Sequence, residues 1–199
     1  MTIVSSFLTF PNISWWKQVA SADTLVFDAA EHFQKMGYRN RYRVAGANNS
    51  ILLSIPLVNG RDQRLPMHDV LIHNEEHWQV QHWRTLVSVY KRSPYFEHFE
   101  DSLRPLYETQ FLHLVDFNKA AFEWVKKQLK LDIEVQETSA FIKEYPPEIA
   151  DLRNVKIDSA NIPKYYQVFE DRVGFIPHLS ILDLLFCEGP QATRMLKAG

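Results

Sequence analysis

The chain has 199 residues, 46% hydrophobic and 23% charged, with a net charge of −2. That is the composition of an ordinary globular protein, so a disordered or fibrous chain is excluded. The bulk charge implies neither nucleic acid nor an anionic membrane as partner, though a local basic patch stays open. The length fits a single domain over residues 1–199, large enough to bury about 70% of its unfolded surface without disulfide or metal.

In chain order, Thr2–Leu8 reads as a first strand, short, apolar and β-branched at its start. The stretch Met1–Pro11 has no basic leader region and no small-residue cleavage site, and no apolar run approaches the ~20 residues that span a bilayer. A cytoplasmic location is the expectation. Asn12 or Ser14 is placed to cap a short helix through Ala20, and Thr24–Phe27 reads as a second strand. Tyr38–Ala45 and Ile51–Pro56 read as strands joined by the turn residues Gly46-Ala47-Asn48-Asn49. An exposed loop at Asn59–Pro66 precedes a further strand at Asp69–His73.

The centre is helical. Trp78, Val80, Trp83, Leu86, Val87 and Tyr90 follow helical spacing, and Ser93-Pro94 ends that helix and starts the next. Gln110–Leu129 carries the clearest apolar stripe, with Asn118 as a polar residue on it. Ile133–Val135 resembles a late strand, and 146–163 reads as an irregular loop. Leu179–Phe186 is a helix stopped near Gly189-Pro190, and Gln191–Lys197 is a terminal helical turn. Strands fall mostly in the first half and helices in the second, so the fold expected is α/β or α+β, a mixed sheet packed with helices.

Cys187 is the only cysteine, which excludes an intramolecular disulfide and a multi-thiolate metal site; it reads as a small buried hydrophobe in an apolar run. The sequence holds no GxGxxG, GxxxxGK[ST], GxSxG or HExxH signature. No cofactor and no metal is expected.

Three groupings can carry chemistry. On a strand, Arg39, Arg41 and Arg43 share one face, about 7 Å apart at twice the ~3.3 Å rise. Guanidinium forks in a row suit phosphate or carboxylate, and Lys35 and Asn40 belong to the same stretch. The plainer reading is a solvated face, or arginines paired with Glu31, Asp28 or Asp69. Next, His82 is four residues after Trp78 and adjoins Trp83 and Arg84, which makes it an acid/base candidate or a hydrogen-bonded structural histidine. Finally, Tyr165 and Gln167 precede the run Phe175–Asp183, in which Asp183 is either a helix-start partner of Ser180 or a buried carboxylate in need of a cation.

These segments resemble the WbqC-like family of bacterial proteins. The resemblance runs through Gln34-Lys35, Tyr38-Arg39-Asn40-Arg41, Leu53-Ser54-Ile55-Pro56, His82-Trp83-Arg84 and Ser93-Pro94-Tyr95-Phe96. It continues in Asp116-Phe117-Asn118, Pro163, Tyr165, Gln167, Phe175-Ile176-Pro177 and Leu179–Phe186. The chain departs from the family pattern at Ser5–Asn12, where many members carry a Gln-Pro pair. The resemblance implies a setting in surface-polysaccharide or sugar biosynthesis but transfers no catalytic residue. Together with the arginine row it points to a transferase using a phosphate-bearing donor, with an anionic or sugar small molecule as partner. Lys35, Arg39, Asn40, Arg41 and Arg84 would hold the anion. His82 and Asp183 would act in catalysis, and Trp83, Asn118, Tyr165 and Gln167 would contact substrate. The alternatives are a non-catalytic sugar- or protein-binding module and a homologue with a scaffold role.

Overall fold

The computed structural model describes residues 1–153 and 162–198. Strand β1 (Thr2–Ser5) is central because Ile3, Val4 and Ser5 are all buried, so both of its faces are covered. It pairs in parallel with β2 (Thr24–Phe27), Thr2 opposite Thr24. Helix α1 (Ile13–Val19) makes the crossover between them, capped by the Asn12 side chain, which accepts from the Trp15 amide at 3.1 Å.

The four-stranded sheet is wholly parallel, in the order β5-β2-β1-β6, with β5 at Glu134–Glu137 and β6 at Ile149–Asp151. A separate antiparallel hairpin, β3 (Arg41–Val44) and β4 (Ile51–Ser54), sits in the long connection from β2 to β5. Among the described residues, four of the six strands lie before residue 55, and the mixed α/β architecture is the one expected.

The same connection holds helices α2 (Trp78–Tyr90), α3 (Phe96–Glu108) and α4 (Leu114–Gln128). α4 lays its apolar stripe against the sheet: Phe122 meets Phe27 edge-on at 5.0 Å and stacks on Trp16 at 5.4 Å. After β6 come the single turn α5 (Glu170–Val173), then α6 (Ile181–Glu188) and α7 (Ala192–Lys197). Helix α6 is buried from Ile181 to Cys187, and its Ser180 hydroxyl caps it by accepting from the Leu182 amide. Among the described residues, no helix is long and apolar enough to cross a membrane.

Two expectations change. The strand expected at Asp69–His73 is a 3₁₀ turn, Met67–Asp69, followed by single-residue bridges from Leu71 to His113 and from Ile72 to Leu57. Pro66 sets up the turn, and the Val70 amide is spent on Met67 rather than on a ladder. The loop expected at 146–163 begins with β6, which pairs Ile149–Asp151 to β1. Its residues 154–161 lie outside the described residues.

Candidate functional site

The arginine row divides. Strand β3 begins at Arg41, and residues 37–40 form a bend just after Met36, whose φ is +71°. Arg39 therefore leaves the strand alternation and turns inward. It is 4% exposed, with Nη2 donating to Glu31 Oε2 at 2.8 Å and to Ser6 Oγ at 2.7 Å, while Nε donates to Glu31 Oε1 at 3.2 Å. This is the Glu31 pairing that the plainer reading allowed.

Arg41 and Arg43 keep the outer face of the hairpin. Opposite them on β4 stand Ser54 and Leu52, so neither faces a carboxylate across the ladder. Arg41 Nε donates to the Gly37 carbonyl at 2.9 Å, and Arg43 Nη1 to Ser50 Oγ at 3.0 Å.

Below this face lies a cleft of about 410 Å³, lined by Lys35, Asn40, Arg41, Leu52, Arg61 and Glu76 among others. Two adjoining depressions extend it. One of about 440 Å³ adds Arg64 and shares Lys35 and Arg61; one of about 220 Å³ adds Tyr38 and Arg43 and shares Arg41. Asn40 fixes one wall, its Nδ2 donating to the Ile55 carbonyl at 3.0 Å while its own carbonyl accepts from the Ile55 amide at 2.7 Å. Lys35 is ion-paired to Asp62, which that pairing holds below the usual carboxylate range. Glu76 Oε1 sits 3.0 Å from His73 Nδ1. Among the described residues Arg41, Arg43, Arg61 and Arg64 form no ion pair with a carboxylate, though Arg61 adds to the pull on Asp62. Arg61, Arg64 and Glu76 are the residues that sequence reading missed; the Arg-Asp-Gln-Arg stretch at 61–64 was the available signal, read only as an exposed loop.

His82 lies on the other side of the hairpin. Tyr42, between Arg41 and Arg43, points inward, and its hydroxyl is 3.2 Å from His82 Nδ1 and 2.8 Å from the Tyr107 hydroxyl. His82 Nε2 is 3.2 Å from the Ser54 carbonyl, which can only accept. Nε2 therefore carries the proton, and Nδ1 accepts from Tyr42. The ring is 4% exposed, and burial lowers its pKa to about 4. The neutral form is thus held across the neutral range, with both nitrogens engaged inside the protein.

Asp183 is fully buried on α6. Its two oxygens accept from Tyr90 Oη at 2.7 Å and Tyr165 Oη at 2.6 Å. Burial raises its pKa to about 6, against the pull of these two bonds. Among the described residues no arginine meets it: two tyrosines satisfy this carboxylate. Asn118 is equally enclosed; it accepts from Thr9 Oγ1 at 2.6 Å and donates to the Arg39 carbonyl at 2.8 Å, clamping the loop after β1 to the bend before β3. Gln167 donates to the Tyr165 hydroxyl and bonds both backbone groups of Ile176. Trp83 is half-buried against Phe96 and Tyr107, with the Arg104 guanidinium 5.2 Å over its ring. Arg84 is exposed and does not line the cleft.

Of the candidate residues, the cleft thus brings together Lys35, Asn40 and Arg41. Arg39, His82, Asn118 and Asp183 are held within the protein, in three separate hydrogen-bond networks. No curated protein and no solved structure matches the chain. A family model does: it aligns with residues 8–156, a span holding the hairpin, the cleft and helices α1 to α4. The chain belongs to the WbqC-like protein family.

Proposed function

We propose that the chain binds a phosphate-bearing donor, of the nucleotide-sugar or acyl-donor kind, in the hairpin cleft, and serves as a transferase in bacterial surface-polysaccharide or sugar biosynthesis. The observation that carries this reading is that Lys35, Arg41 and Arg61 line one cleft of about 410 Å³ in a chain whose net charge is −2. Unpaired guanidinium groups around a partly apolar floor suit a ligand with one charged and one apolar end. Within that cleft Glu76, bonded to His73, is the group placed to take a proton from an acceptor hydroxyl. Arg39, Asn118, His82 and Asp183 serve this reading by holding the hairpin and its approaches in place.

The enclosure of His82 and Asp183 favours a second reading, a binding module without catalysis. Calorimetry with a nucleotide-diphosphate sugar tests the first step. Arg41→Ala with Arg61→Ala should weaken binding by roughly a hundredfold or more, since each removes a charge-assisted contact worth about 1.5–3 kcal/mol. Unchanged affinity in a variant that still melts like the wild type would discard the anion site. Glu76→Gln then separates the two readings: loss of product formation with binding retained supports the transferase, and full cellular function supports the binding module.

A further inference from the structure

A concave surface near the C-terminal segment shares no lining residue with the cationic cleft. It is a wide, open depression of about 760 Å³. Its walls are Tyr165, Tyr166 and Phe175, with Lys164, Glu170 and Asp171 around them.

The local sequence builds these walls firmly. Gly174 has φ +75° and ψ −179°, a region open essentially to glycine, and it turns the chain back after α5. Phe175 then packs edge-on to Tyr165 at 5.5 Å. Gln167 locks the two arms together: its Oε1 accepts from the Ile176 amide at 2.8 Å, and its Nε2 donates to the Ile176 carbonyl at 2.9 Å. Tyr165 is anchored by Asp183, whereas Tyr166 is 54% exposed. Glu170 Oε2 is steadied by the Gln167 amide at 3.3 Å, and Asp171 has no partner among the described residues.

The lining chemistry selects a ligand class. Two carboxylates against one ammonium repel phosphate or carboxylate ligands. Carboxylates accept hydrogen bonds, so they suit a molecule rich in hydroxyl or amino donors. The exposed Tyr166 ring, beside the anchored Tyr165 and Phe175, offers a flat apolar face for a ring with C–H groups on one side. A pyranose combines these properties. We infer that this cleft is a sugar-binding site, taking a pyranose without acidic groups, with Tyr166 as the stacking platform and Asp171 as a hydroxyl acceptor.

Amide chemical-shift titration of the ¹⁵N-labelled full chain tests this, because Gly174 lines this cleft and Gly60 lines the cationic one. Glucose and glucosamine should each move the Gly174 resonance saturably and leave Gly60 in place, while pyrophosphate should do the reverse. Tyr166→Ala and Asp171→Asn, both at the surface, should each weaken the glucose response roughly tenfold. Glucose that fails to move Gly174, or moves it as strongly in both variants as in the wild type, overturns the inference. So does glucuronate acting as strongly as glucose. A failure of pyrophosphate at Gly60 bears on the cationic cleft alone, so the two readings fail separately.

Discussion

Replacing Arg39 by alanine should destabilise the protein by about 3–5 kcal/mol, the usual cost of stranding one member of a buried ion pair. Glu31 is 2% exposed, and its carboxylate has three bonded donors: Arg39 Nε, Arg39 Nη2 and Ser6 Oγ. The substitution removes two of them and leaves a buried charge with one hydroxyl. The backbone at Arg39 stays clamped, because Asn118 donates to its carbonyl and the Thr9 amide donates to the neighbouring Tyr38 carbonyl. The loss is therefore local and electrostatic rather than a collapse of the bend. Against a total stability of about 5–15 kcal/mol the variant still folds. Its melting temperature should fall by roughly 6–20 °C, at about 2–4 °C per kcal/mol for a chain of this size. Urea unfolding followed by tryptophan fluorescence measures the change, provided the slope with denaturant is unaltered. The double variant Arg39→Met with Glu31→Leu should recover most of the stability, since apolar replacement of a whole buried pair is often neutral. If Arg39→Ala costs under about 0.5 kcal/mol yet abolishes anion binding, Arg39 serves a ligand and its placement in the core network is refuted.

Other outcomes follow from the same networks. Asp183, raised to about 6 in the folded state, supplies stability that is full below its unfolded value and lost as pH rises through 6, about 3 kcal/mol in all. Relative to wild type, Asp183→Asn should gain by that amount between pH 4 and 7 in urea titrations; a constant gap would contradict the buried carboxylate. His82, lowered to about 4, does the opposite: its contribution of about 3 kcal/mol is present above 6.5 and lost as pH falls through 4. His82→Gln should therefore become relatively more stable toward pH 4, and an unchanged gap would contradict an enclosed neutral ring. At Gly189, with φ +51°, an added Cβ would lie 2.5 Å from the Tyr95 ring, so Gly189→Ala should cost roughly 2 kcal/mol or more by thermal melting. Anion binding in the hairpin cleft should weaken several-fold when ionic strength rises from about 0.01 to 0.15 M, as expected of exposed charges.

What the sequence made legible was local. Thr24–Phe27 forms a strand at its expected bounds, and Asn12 caps α1, because short apolar runs and a capping residue act on their neighbours. Strand β6 was hidden because three residues, Ile149-Ala150-Asp151, carry no periodicity; only β1 as a pairing partner makes them a strand. The state of His82 was hidden for a similar reason. Its spacing on α2 was visible, but its burial depends on Tyr42 and Ser54 arriving from the hairpin. The partners of Asp183, seven decades apart in number yet meeting at one carboxylate, are likewise a product of tertiary packing.

The arginine spacing shows where such reading holds and where it stops. Alternation governs only residues inside a ladder, so it was valid for Arg41 and Arg43 and failed at Arg39, across the bend. The two that obey it are also the two left without compensation. Like charges about 7 Å apart on one strand face repel, and a stability-driven hairpin would set Glu or Asp opposite them. Here Ser54 and Leu52 stand opposite, and Arg61 is folded in beside Arg41 from another loop, adding to the unfavourable charge. The one nearby carboxylate bound to a cation, Asp62, is spent on Lys35. By contrast Arg39 and Arg153, inside the protein, are fully matched by Glu31 and by Asp28 with Asp151. A chain that neutralises its buried arginines and leaves its hairpin arginines open concentrates local conflict at one surface, and that contrast supports the proposed anion site in the cleft.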